Sequence, residues 1–238
     1  MKVVAVLGVG PGLGLSIARR FGREGLAVAL VSRSTTRHPE YQASLKEDGV
    51  EARTYVADVR DPIALRKVLA QITADLGPVD TAYFGPLSMD DADGLKPIGE
   101  VRPDEVQKTF DTLVHPVIEV VNAVLPEMLQ RGTGTILIPG GLSGKYPIPM
   151  LGKLAPASAA LRMYVLTLNE TLKDTGVYAG ALTIGGMIRG GDIHAAVSAQ
   201  FAELGAEPPA DLDPTQIADA AWSMSVNRKP AESEFGTF

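Results

Sequence analysis

The stretch "VLGVGPGLG", residues 6–14, places glycine at 8, 10, 12 and 14 directly behind the β-branched run Val3-Val4-Ala5-Val6-Leu7. Glycines between a strand and a helix suit anion binding, because they let backbone N–H groups and a helix N-terminus face a phosphate. The dinucleotide spacing G-x-G-x-x-G fails here, since Leu13 and Leu15 stand where its last glycine would fall. The spacing that fits is G-x-x-x-G-x-G, as Gly8, Gly12 and Gly14. On this reading Gly8 turns the chain out of the strand, Gly12 with the adjoining Leu13 brings backbone to a pyrophosphate, and Gly14 packs the following helix. The alternative is a tight strand-to-helix turn that holds nothing.

A second set of residues could move protons. Residues 142–153 contain Ser143, Lys145, Tyr146 and Lys153, and His115 lies upstream. Each has a plain structural use as well. A loop lysine is solvated, Tyr146 between Lys145 and Pro147 can be a packing residue, and His115 before Pro116 can cap a turn. Other chemistry is excluded by composition. The chain of 238 residues has no cysteine, so disulfides, thiolate zinc sites and a cysteine nucleophile are ruled out. His38, His115 and His194 have no metal-ligand spacing, so no metal site is expected. A net charge of −6 without an arginine-rich run argues against a nucleic-acid partner.

The elements that must position these groups alternate. Strand-like runs are 3–7, 27–32, 51–56, 79–84, 135–138 and 177–184. Helical patterns separate them: Leu13, Ile17 and Phe21 at four-residue spacing, then 63–76, then a single long helix over 103–131 with Val117, Val120, Val121, Val124, Leu125 and Met128 on one face. A further helix follows the fifth strand, with Pro156 in its first turn and Leu161, Val165, Leu168 and Leu172 on one side. Such alternation predicts one α/β domain over 1–238, a doubly wound parallel sheet between two helical layers. Residues 190–212 read as a flexible loop or lid, 215–226 as a helix and 234–238 as an edge strand. The apolar start ends at Leu7, and 117–125 carries Glu119 and Asn122 and falls short of the ~20 residues of a span. A cytoplasmic protein without a membrane partner is expected.

Three motifs carry a family resemblance: the register Gly8, Gly12, Gly14, then "ADVRD" at 57–61 and "VLPEM" at 124–128. With them the whole chain resembles the short-chain dehydrogenase/reductase superfamily, which implies a Rossmann-like fold and a nicotinamide nucleotide. The resemblance puts Asp58 and Val59 at the adenine and the end of the fourth strand beneath the adenosine. That end reads Phe84-Gly85-Pro86-Leu87 where the family has N-N-A-G, so only the close approach at Gly85 is retained. "TIGGMIRGG" at 183–191 parallels the family's P-G-x-V-x-T, with Gly186 and Ile188 at the nicotinamide amide and Gly185 and Gly190 in place of proline and threonine. Cofactor choice follows from charge. "LVSRSTTR" at 30–37 has Arg33 and Arg37 and no acid, which favours a 2′-phosphate, hence NADP(H) over NAD(H), with Ser32 and Arg33 as contacts.

The catalytic side departs from the family. Its tyrosine and lysine, spaced Y-x-x-x-K, lower a phenol pKa of about 10 toward neutrality. Alignment on "GTILIPGGLSG" at 134–144 puts Leu154 and Ser158 at those positions, Gly141 at the serine and Leu113 at the asparagine. None of the six tyrosines has a lysine four residues later. Three readings stay open: an NADP(H)-dependent oxidoreductase using displaced groups, a cofactor-binding sensor or partner protein without turnover, and an isomerase, cyclase or dehydratase on the same scaffold. The resemblance also implies a homodimer or homotetramer built on the helices 103–131 and 156–175, with Met163, Tyr164 and Thr167 turned outward. A small-molecule substrate is implied but not identified.

Overall fold

A computed structural model describes residues 2–85, 96–203 and 211–236. Seven parallel strands form the sheet: β1 (Val3–Leu7), β2 (Ala27–Ser32), β3 (Ala52–Val56), β4 (Val79–Phe84), β5 (Gly134–Gly141), β6 (Val177–Gly185) and β9 (Glu232–Gly236). Their order is β3-β2-β1-β4-β5-β6-β9. Two short strands, β7 (Met187–Ile188) and β8 (Asp211–Leu212), pair with each other outside that sheet. The helices are α1 (Leu13–Arg23), α2 (His38–Glu47), α3 (Pro62–Leu76), α4 (Pro103–Leu113), α5 (His115–Arg131), α6 (Ala155–Thr171), α7 (Asp192–Glu203) and α8 (Pro214–Asn227).

The two-residue period of a strand divides the core. Val3, Ala5 and Leu7 of β1 face one layer with Leu65 and Val68 of α3, Val117, Val120 and Val121 of α5, and Leu161 and Val165 of α6. Val4 and Val6 face the other, with Ile17 and Phe21 of α1, Tyr41 and Leu45 of α2, and Ile217 and Ala221 of α8. All five β1 residues are buried, as a central strand covered on both faces requires. Start signals are legible: Asp61 caps α3 through Ile63 N at 2.8 Å, and Asp213 caps α8 through Thr215 N at 2.8 Å.

Several expectations are corrected. The helix over 103–131 is two helices that break at Val114, because Pro116 has no N–H and its ring clashes with the carbonyl one turn back. An 18-residue window within the segment reaches a mean hydropathy of 1.3, in the range of a membrane span, yet the stripe Val117, Val120, Val121, Val124 and Met128 is buried in this fold. In 190–212, residues 192–203 form helix α7, consistent with the alanines at 195, 196, 199 and 202. Residues 211–212 form β8, and 204–210 lie outside the described residues. The last strand is 232–236, starting two residues earlier than expected, and pairs in parallel with β6. The helix after β5 ends at Thr171, not at 175. On it Met163 and Thr167 are exposed, whereas Tyr164 is half-buried against the core.

Candidate active site

The chain reverses direction of travel across the sheet between β1 and β4, and the carboxyl ends of the strands flank that switch point. The sequence-predicted cofactor residues all lie at these ends. Gly8, Gly12, Leu13 and Gly14 follow β1, while Ser32 ends β2 and Arg33 follows it. Asp58 and Val59 follow β3, Gly85 follows β4, and Gly186 and Ile188 follow β6.

Gly8 has φ +88°, a conformation that L side chains rarely adopt. Its N–H and that of Val9 donate to Val31 O at 3.0 and 2.9 Å, which ties the turn to β2. The glycines then differ in what surrounds them. A methyl on Gly14 would lie 3.2 Å from Val9 Cα, so that glycine closes the turn against its own helix. A methyl on Gly12 would lie 3.1 Å from Gly191 Cα and 3.2 Å from Ile188 Cγ2, so residues 188–191 pack on this point of the turn. A methyl on Gly10 would meet nothing within 4 Å. Helix α1 starts at Leu13 with no side-chain cap and no acid in its first turn. Its leading N–H groups and dipole therefore present uncompensated positive potential beside the open space at Gly10.

The loop after β2 frames the same space. Ser32 Oγ donates to Ser34 O at 2.8 Å and accepts from His38 Nε2 at 2.7 Å, which fixes the His38 tautomer. Burial of His38 lowers its pKa below the usual imidazole value. Arg33 is exposed and makes no ion pair among the described residues. Arg37 reaches across to α7 and pairs with Asp192 at 2.7 Å. On the far side, Asp58 Oδ1 accepts from Arg60 N at 3.0 Å, Val59 is buried, and Gly85 N donates to Leu7 O at 3.0 Å. Pro86 and Leu87 lie outside the described residues.

The candidate catalytic residues divide into those the fold brings together and those it sends elsewhere. A side chain at Gly141 would point between two hydroxyls, Ser158 Oγ at 3.2 Å and Ser143 Oγ at 3.4 Å from a methyl there. Both serines are buried, and neither hydroxyl has a hydrogen bond among the described residues. They converge because Gly144 seats the turn 142–144 directly on α6: a methyl there would lie 2.5 Å from Ser158 O. Tyr146 turns away. It is 47% exposed and its hydroxyl donates to Glu234 Oε2 at 3.3 Å, while Lys145 pairs with the same carboxylate. His115 Nδ1 lies 3.1 Å from Asp111, one turn back across the α4–α5 junction, and both are exposed. Lys153 is half-buried on the turn before α6, where Leu154 is the N-cap, and Leu113 ends α4. Among the described residues no group of three or more His, Asp or Glu could hold a metal ion.

Comparison with known proteins assigns the family. The family model for short chain dehydrogenases matches residues 2–199. This chain belongs to the short-chain dehydrogenase family. It is 28% identical over 229 residues to an NADP-dependent 3-hydroxy acid dehydrogenase of Salmonella typhi, covering 94% of this chain and 89% of that one. A short chain dehydrogenase of Pseudocercospora fijiensis is 28% identical over 191 residues, 77% of this chain and 59% of that protein, so the match spans about three fifths of that relative's length. Among solved structures, a single-site variant of actinorhodin polyketide ketoreductase with NADPH superposes with a TM-score of 0.84 at 23% identity, covering 97% of this chain and 94% of that one.

Within this family frame, sequence reading missed three features. Ser158 reads in the sequence only as the residue at the lysine position, and its approach to the same point as Ser143 has no local signal, because the seating of residues 142–144 on α6 is tertiary. The link from Arg37 to Asp192 joins residues 155 apart and has no local signal. The third is a network under the edge strand: Arg162 holds Glu232 through two bonds of 2.6 Å, and Thr183 Oγ1 donates to the same carboxylate at 2.6 Å. The Arg162 guanidinium keeps the Glu232 carboxyl below the usual carboxylate range. This network fastens β9, the strand that presents Glu234 to Lys145 and Tyr146.

Proposed function

We propose that the chain is an NADP(H)-binding oxidoreductase acting on a carbonyl or its alcohol, with a serine pair where the family places its tyrosine-centred group. One observation carries the cofactor part: an uncapped, acid-free helix N-terminus beside open space at Gly10, framed by a loop that bears Arg33 and no acid. The residues present fit such a nucleotide. The α1 N–H groups would take the pyrophosphate, Arg33 the 2′-phosphate, and backbone at Gly186 and Ile188 the nicotinamide amide. The NADP-dependent Salmonella relative and the NADPH complex of the ketoreductase support the same choice. Bound there, the nucleotide would supply or accept hydride.

This chain's own part is to hold the other reactant. A hydroxyl needs no depressed pKa to donate to a carbonyl oxygen, so Ser143 and Ser158 would polarise a substrate carbonyl from two sides, with the proton drawn from solvent. Leu113 and Leu154 would line the substrate side with apolar surface. A second reading, cofactor binding without turnover, is favoured by the diversion of Tyr146 to Glu234 and of His115 to Asp111. Titration with NADPH and with NADH, followed by nicotinamide fluorescence, tests the cofactor part. Incubation with NADPH and a panel of ketones, aldehydes and enones, read at the nicotinamide absorbance, tests the chemistry. Tight NADPH binding with turnover supports the oxidoreductase. Binding with no turnover supports the second reading, and no binding removes both.

A further inference from the structure

Residues 187–192 and 211–212 pack beside the glycine turn and are held at two places. Their root is firm: β7 pairs with β8, Arg189 N donates to Leu212 O at 2.9 Å, and His194 Nε2 lies 2.8 Å from Asp211 Oδ1. Their other end rests on the glycine turn. Gly191 packs against Gly12, and the next residue, Asp192, holds Arg37 at 2.7 Å. Arg37 belongs to the loop after β2, four residues beyond Arg33, with Tyr41 as its other neighbour. The pair thus joins the loop that would receive a 2′-phosphate to the first turn of α7.

We propose that Asp192 sets the cofactor preference of this site by competing with the 2′-phosphate of NADP(H) for Arg37. The inference rests on the reading of the cleft as a nicotinamide nucleotide site. A 2′-phosphate arriving at Arg33 offers Arg37 a stronger, doubly charged partner, and Arg37 changes partners at the cost of the tie to α7. NADH has no such group and leaves the Arg37 to Asp192 pair in place. Asp192 therefore lowers the preference for NADPH below what the two arginines would give alone, and NADPH but not NADH releases the first turn of α7 from the loop. Both partners are about half exposed, so the competition is modest in size.

The test is a four-protein cycle: wild type, Asp192→Asn, Arg37→Ala and the double variant, each titrated with NADPH and with NADH. Asparagine keeps the preference for a helix N-terminus, and the root contacts at Asp211 are untouched, so α7 persists. Asp192→Asn is expected to raise the ratio of NADH to NADPH dissociation constants about fivefold in the presence of Arg37. In the Arg37→Ala background the same change is expected to alter the ratio by less than about twofold. An unchanged ratio in Asp192→Asn, or an equal rise without Arg37, overturns the competition while the cofactor reading stands. Failure of all four proteins to bind either nucleotide overturns both.

Discussion

Replacing Gly10 by alanine separates architecture from ligand binding at the glycine turn. A methyl there meets nothing within 4 Å, and Gly10 is not among the residues with positive φ, so the folded chain accepts it without strain. The unfolded chain loses conformational freedom, which stabilises the fold by about 0.4–1 kcal/mol. For a domain of this size a kcal/mol corresponds to about 2–4 °C, so Tm is expected to rise by roughly 1–4 °C. The same methyl occupies the space offered to a pyrophosphate beside the α1 N-terminus. Overpacking of a fitted site costs about 1–3 kcal/mol, which corresponds to an NADPH affinity roughly 5- to 150-fold weaker. Thermal unfolding without ligand and fluorescence titration with NADPH measure the two quantities on one preparation. A variant that keeps wild-type NADPH affinity within about twofold refutes the placement of the pyrophosphate at Gly10. A fall in Tm would refute the accounting for the turn.

Three further outcomes follow from the same geometry. Arg33→Ala is expected to weaken NADPH about tenfold and leave NADH unchanged, since the lost contact is charge-assisted and specific to the 2′-phosphate; equal loss of both nucleotides would contradict it. Ser143→Ala and Ser158→Ala are each expected to lower kcat/KM for a carbonyl substrate about 100-fold without changing NADPH affinity, and unaltered turnover in both variants would remove the serine pair from the mechanism. Glu232→Gln is expected to lower Tm near neutral pH by roughly 3–12 °C, from about 1.5–3 kcal/mol for a charge-assisted contact. Because Arg162 depresses the Glu232 pKa in the folded state, this contribution is present above the unfolded value of about 4.3. It is lost as pH falls through the lower folded value, so the gap in Tm should narrow on acidification, and a gap that does not change with pH would rule the linkage out.

What the sequence disclosed follows the range of the physical signal. Strands β1, β2 and β4 are read to the residue, because a β-branched run buried on both faces carries its limits in its own composition. The 103–131 segment shows the reverse case. Its apolar face is continuous in period across the junction, but Pro116 breaks the backbone ladder at Val114, so periodicity alone joins two helices that the missing N–H separates. Helix α7 was hidden by flanking glycines and prolines although its interior is rich in alanine. At the site, the glycine turn and the arginine loop were legible since each is a local spacing. The convergence of Ser143 with Ser158, and of Arg37 with Asp192, depends on where α6 and α7 pack, and no local spacing encodes that.

The two halves of the cleft are therefore built to different standards. On the nucleotide side every element agrees: an uncapped helix end, open space at Gly10, two arginines and no acid within the loop after β2. Asp192, an acid at the start of α7, is already held by Arg37. On the other side the candidate proton-moving residues are dispersed, Tyr146 to β9 and His115 to Asp111, and what remains under Gly141 is a pair of neutral hydroxyls. Neutral donors stabilise a carbonyl oxygen but hold no proton poised near neutral pH, so hydride chemistry here would depend on solvent for its proton. On the proposed reading turnover is expected to be slow beside nucleotide binding, and the NADPH titration and the carbonyl panel, read together, distinguish that from a site whose only task is to bind.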